Sequence, residues 1–189
     1  KRSTTSGGDA QQNAVIALYV MEQDLRNAGM GINDTPEAGC NIIGYDATRS
    51  PPNFPTVPAT MPMVPVRIIA GDSATTPDQL SVFSGAQTLV AGATTITANM
   101  GTATDPLRVM NRYGFRAGDL ILMLEPGTAK NCALMEVTAV PVSPGDQIDH
   151  ATGTYDYSLP SGLTRRVTSR FNPTDGLGVV YGGVSTANA

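Results

Sequence analysis

Charge is scarce in this sequence. Only 15% of its 189 residues are Asp, Glu, Lys or Arg, against about 25% in an ordinary globular protein. The balance is acidic, with a formal net charge of −4. That argues against nucleic acid as a partner, because phosphate binding needs a basic footprint. Arg165, Arg166 and Arg170 form the one local basic cluster, without interleaved aromatics, and read as a solvated strand face or a contact for an acidic partner.

Long hydrophobic runs are missing too. No stretch approaches the ~18 apolar residues of a membrane span. The longest, Ala14–Met21, contains Tyr19 and runs into Glu22-Gln23-Asp24. The chain starts Lys1-Arg2-Ser3 without an initiator methionine or signal-peptide pattern, and reads as the remainder of something longer.

Histidine occurs once, as His150, which excludes a site built on several histidines. Asp146 and Asp149 beside it are weak candidates for a hard cation, without the spacing or turn glycine of an EF-hand. There is no P-loop, dinucleotide fingerprint or Gly-x-Ser-x-Gly elbow. Gly71-Asp72-Ser73 resembles the nucleophile block of GDSL-type hydrolases, but no Asp-x-x-His follows to activate Ser73. A polar turn after a strand is the expected role, and neither catalysis nor a cofactor is expected.

Cysteine is limited to Cys40 and Cys132, neither in a zinc or redox spacing. They are either two buried thiols or one disulfide. A secreted setting favours the bond.

What the chain does have is Gly (20), Pro (14) and many Thr, Ser and Ala, a composition suited to loop-rich β structure. One helix precedes it. Ala14, Leu18, Met21, Leu25 and Ala28 recur at alternating spacings of four and three, an apolar stripe that predicts an amphipathic helix over Asp9–Ala28. Asp9 and Gln12 have capping-box spacing, Gly7-Gly8 reads as a flexible joint, and Gly29 and Gly31 as the helix stop.

Residues 30–65 then read as a Pro-rich irregular connection. Strand-like runs follow at Val66–Ala70, Gln79–Ser84, Thr94–Ala98, Leu107–Met110, Asp119–Leu124, Ala133–Val140, Tyr155–Leu159 and Val179–Val184. The expected fold is α+β: the helix packed on an antiparallel sheet, with a flexible start (1–8) and a β-rich head (66–189) in which 86–110 could be an insertion. Tyr155 and Tyr157 alternate on one strand face, as a cross-strand packing pair or a sugar-stacking, adhesive contact.

Four ordered blocks carry a family resemblance. Gly8-Asp9-Ala10-Gln11-Gln12 through Met21-Glu22-Gln23-Asp24-Leu25-Arg26-Asn27-Ala28-Gly29-Met30-Gly31, followed by Cys40, resembles the C-terminal half of the assembly helix of PilW-type minor pilins of type IV pili. Pro77–Phe83, Phe115–Leu122 and Cys132–Thr138 are similar to strand motifs of that family. Met30 stands where the family usually has an aromatic residue, and the hydrophobic first half of the helix is not in the sequence.

The resemblance implies an inner-membrane anchor upstream, a periplasmic head, and later incorporation into an extracellular pilus. There the subunit would join other minor pilins and the major pilin, prime assembly and sit near the tip. It implies that Val15, Tyr19, Glu22 and Arg26 face neighbouring helices, and that a Cys40–Cys132 bond holds the head at a fixed angle to the helix. A minor pseudopilin of a type II secretion system would share these features, and a tip-displayed adhesive module is a further alternative.

Overall fold

The computed structural model describes residues 2–31, 39–55, 60–72, 75–85, 93–159, 161–183 and 186–188. Its first element is a helix, α1 (Arg2–Arg26). From Ala10 onward the segment is rich in Ala, Gln, Leu and Met, good helix formers. An exposed Glu22–Arg26 ion pair one turn apart (2.7 Å) adds to it. The helix begins seven residues before the expected Asp9, so Gly7-Gly8 is part of it rather than a joint, and Asp9 does not cap its start.

The exit follows the expected chemistry. Gly29 and Gly31 have φ of 79° and 85°. The Gly29 N–H leaves the helical pattern to donate to the Phe83 carbonyl (2.8 Å), and Gly85 N–H donates to the Met30 carbonyl (2.7 Å).

Among the described residues twelve strands follow: β1 (Ile42–Tyr45), β2 (Asn53–Phe54), β3 (Val66–Ile69), β4 (Gln79–Val82), β5 (Ala93–Thr95), β6 (Leu107–Arg108), β7 (Leu120–Leu124), β8 (Cys132–Glu136), β9 (Gln147–Ile148), β10 (Thr154–Ser158), β11 (Thr164–Thr168) and β12 (Thr186–Asn188). Six form the main sheet in the order β2-β1-β8-β7-β12-β5, and the others pair as β10–β11, β3–β4 and β6–β9. The class is therefore α+β: among the described residues, an N-terminal helix and largely antiparallel sheets. The main sheet is mixed rather than purely antiparallel, because β1 and β8 run parallel, with Ile42 beside Cys132.

That pairing explains what the reading of 30–65 missed. Ile42–Tyr45 is four residues long and sits among prolines, so its local signal is weak, yet the main sheet incorporates it as β1. Asn53–Phe54 adds to its other edge. The expected strand at Val179–Val184 is absent over its described part; β12 lies just beyond, and Val184 is outside the described residues.

β7 (LILML) is buried on both faces, as a central strand of continuous apolar residues should be. Ile121 and Met123 enter the larger core with Ile96, Leu107, Val109 and Tyr181. Leu122 and Leu124 enter a smaller one with Ile42, Met63 and Cys132. Each such side chain contributes about 1.5–3 kcal/mol on burial. The described part of 86–110 contributes Ile96, Met100, Leu107 and Val109 to the larger core.

The helix does not pack on this sheet. Every side chain from Gly7 to Asn27 is exposed, including Ala14, Leu18, Met21 and Leu25 of the stripe; Ala28 is half-buried where α1 meets the head. The docked stripe was the wrong expectation, because apolar residues also occupy the other sides of the helix and no single face is distinguished.

Candidate functional site

Two constructions stand out: the bare helix and the set of ties that holds the head together. Along α1, Val15, Ile16, Leu18, Tyr19, Val20, Met21 and Leu25 are all more than 40% exposed, Val15 reaching 66%. At about 100° per residue their directions leave no half of the circumference without one. A stretch of helix that is apolar all round, as Val15–Met21 is, is stable when surrounded by other apolar surface, while the flanking Arg2–Asn13 is polar. Of the expected interface residues, Val15 and Tyr19 belong to this set. Glu22 and Arg26 pair with each other at the solvent-exposed C-terminal turn, and the Tyr19 hydroxyl accepts from Gln23 Nε2 (2.6 Å). No described helix is long and apolar enough to cross a membrane.

Cys40 and Cys132 are disulfide-bonded, with Cα atoms 5.8 Å apart and a sequence separation of 92. The bond lies against the smaller core and ties the chain just before β1 to β8. A loop of this length corresponds to about 4–5 kcal/mol of unfolded-state restriction. The stretch around Met63 is laid beside Cys40: Met63 N–H donates to the Cys40 carbonyl (2.8 Å) and Gly39 N–H to the Met63 carbonyl (2.9 Å).

A second tie centres on Glu136, a buried carboxylate at the end of β8 (6% exposed). One oxygen accepts from the Tyr155 hydroxyl (2.5 Å). The other accepts from the backbone N–H groups of Arg170 (2.6 Å) and Phe171 (3.0 Å). Three donors offset the cost of burying the charge. Asn172 completes the join by exchanging hydrogen bonds with the Glu136 backbone.

Arg170 also donates through Nε and Nη2 to the two oxygens of buried Asp46 (2.7 and 2.6 Å). The Arg170 bonds, with further donors from Thr48, hold the Asp46 carboxyl well below the usual carboxylate range despite burial. The Arg165–Arg166–Arg170 run is therefore split. Arg165 and Arg166 are exposed on β11, while Arg170 is consumed in structure.

Tyr155 and Tyr157 share a face of β10, and that face turns toward the head. The Tyr155 hydroxyl is spent on Glu136, and burial and this carboxylate push its ionisation far above the ordinary range. The Tyr157 ring lies where a side chain on Gly118 (φ 96°) would stand, 2.6 Å from that position. The two rings dock the hairpin rather than form an open stacking platform.

Asp146, Asp149 and His150 are turned to separate partners. Asp146 accepts from Arg108 Nη1 (2.9 Å), Asp149 from Gln147 Nε2 (2.5 Å), and His150 Nε2 meets the Asp105 carbonyl (2.7 Å). Burial lowers the His150 pKa, so the ring is neutral and donates there. Among the described residues, no group of three potential ligands converges. Gly71 and Asp72 lie in the β3–β4 connection, where Gly71 N–H donates to Asp78 Oδ1 (2.8 Å); Ser73 lies outside the described residues.

Glu136 and Asp46 went unnoticed in the sequence. The available signal was a lone carboxylate inside an apolar strand, Cys132-Ala133-Leu134-Met135-Glu136-Val137, where a charge needs a built partner. No protein-family model, curated protein or solved structure matches the chain.

Proposed function

We propose that this chain is the head and lower assembly helix of a minor pilin that primes type IV pilus assembly and sits near the pilus tip. The observation that carries the reading is α1: a helix of about 37 Å at 1.5 Å per residue, apolar on every side over Val15–Met21 and attached to a disulfide-tied β head. Such a helix is made to be surrounded by protein, and a bundle of like helices at the centre of a filament supplies that setting. In this reading the head remains in the periplasm until assembly, anchored to the inner membrane by a segment upstream. The role is mechanical, and the partners are other minor pilins and the major pilin.

The resemblance in the four sequence blocks supports the same reading. Tyr155 and Tyr157, spent on docking their hairpin, give no support to the adhesive alternative. The test is the double substitution Val15→Asp, Val20→Asp in the full-length gene of the source bacterium. Surface pili are expected to fall sharply while the subunit is still produced with its disulfide intact. Normal piliation with a parallel loss of protein secretion would transfer the subunit to a secretion pseudopilus. Normal piliation and normal secretion would remove the assembly role of α1.

A further inference from the structure

We infer that the head carries a binding cleft for a small organic carboxylate with an apolar body, lying behind the β3–β4 hairpin and independent of the assembly helix. The cleft encloses about 290 Å³, near the lower end of the range for small-molecule sites. Its position follows from the strand pattern. Val66 and Ile68 on β3 oppose Val82 and Leu80 on β4, and Val66, Ile68 and Leu80 are exposed on the outer face of this ribbon. The alternate residues, including Arg67 and Ile69, face inward and form one wall. Phe54 and Arg49 stand on the other, with Ile42 of the main sheet and Met61 also lining the space.

Phe54 is held there by a glycine. Gly44 pairs with Phe54 across β1–β2, and the Phe54 ring occupies the place a side chain on Gly44 would take. Arg49 is set by a turn in which its N–H donates to the Asp46 carbonyl (3.0 Å). Its guanidinium lies 5.5 Å from the Phe54 ring centre. Arg67 is half-buried and donates through Nη1 to the Thr60 carbonyl (3.0 Å).

Among the described residues, neither guanidinium has a carboxylate partner, unlike Arg26, Arg108, Arg166 and Arg170. An apolar hollow between two such cations calls for a complementary ligand: a hydrocarbon or aromatic body that fills the hollow and a planar carboxylate that takes the forked donors. A neutral apolar compound would leave both guanidiniums without a carboxylate, and a bare anion would leave the apolar wall unfilled.

The experiment is a titration of 4-phenylbutyrate into the ¹⁵N-labelled chain, followed by amide chemical shifts. Saturable shifts are expected around Arg49, Phe54, Arg67 and Ile69. Arg49→Gln combined with Arg67→Gln is expected to weaken binding by about tenfold or more, the size of a lost charge-assisted contact. Amides outside the cleft should keep their positions in that variant, which separates lost binding from lost folding. Gly44→Ala, which displaces Phe54 without touching a charge, should also abolish the shifts.

Three results would overturn the proposal. They are no saturable shift up to the solubility of the probe, equal binding of the neutral 4-phenylbutanol, or displacement of the probe by inorganic phosphate alone. Loss of piliation in the helix variants bears on neither arm, so the two readings fail separately.

Discussion

The helix and the central strand of the main sheet use the same apolar residue types and meet opposite fates. In β7 the run Leu-Ile-Leu-Met-Leu is buried from Ile121 onward on both faces of the sheet. In α1, Val15, Ile16, Leu18, Val20 and Met21 stand in solvent. The difference lies in what surrounds them. β7 has a strand on either side and covering segments on both faces, whereas α1 meets the head at its last turn. The first set of side chains stabilises the fold. The second is left as apolar surface in solvent.

The largest test of this contrast is the bond that the head contains and the helix lacks. Cys40→Ser with Cys132→Ser is expected to lower unfolding free energy by about 4 kcal/mol. Denaturant unfolding of the oxidised chain and the variant would measure it. A loss confined to α1 helicity, with the head's transition unchanged, would show that the bond restrains the wrong region.

Substitutions matched in chemistry sharpen the comparison. Ile121→Ala should cost about 2–5 kcal/mol, through lost burial and a cavity the sheet cannot close. Leu18→Ala should stay within about 0.5 kcal/mol in the isolated chain, because no tertiary contact is lost. If Leu18→Ala destabilises the head as much as Ile121→Ala does, the helix packs on the head after all.

The smallest expected effect is on pH dependence, and it belongs to the head alone. Asp46 has a lower pKa folded than unfolded, chiefly because of Arg170. Its contribution is complete above the unfolded value near ~3.9 and is lost as pH falls toward the folded one. Buried His150 is also lowered. The unfolded chain therefore takes up its proton first, and stability falls as pH drops below about 6.5. Thermal unfolding between pH 7 and pH 3 should show both losses, with Asp46→Asn flattening the acid limb and His150→Gln the milder one. An unchanged profile in both variants would show that neither group is coupled to folding.

Much of the head was legible because local signals agreed with tertiary ones. Leu120–Leu124 is apolar and bounded by turn residues, so strand propensity and burial point the same way. β1 was illegible because Ile42–Tyr45 gains its partner from Cys132–Glu136, about ninety residues on. The helix was legible as a helix but misread as docked. Leu18 and Leu25 do form a stripe, yet Val15, Ile16, Tyr19 and Val20 fill the remaining sides, and a count of one face overlooks them. Glu136, Asp46 and the Arg49–Arg67 cleft were hidden for a related reason: each unites residues from separate stretches of chain.

By itself the sequence determined the helix, its glycine stop, the α+β class and a chain able to close one disulfide. Backbone propensity, positive-φ demands and cysteine number act locally or by count. Only the tertiary structure decided that β1 runs parallel to β8, that Tyr155 turns inward to a buried carboxylate, and that the helix is left bare. Those outcomes depend on which distant surfaces meet, and burial is a property of the meeting rather than of the residue.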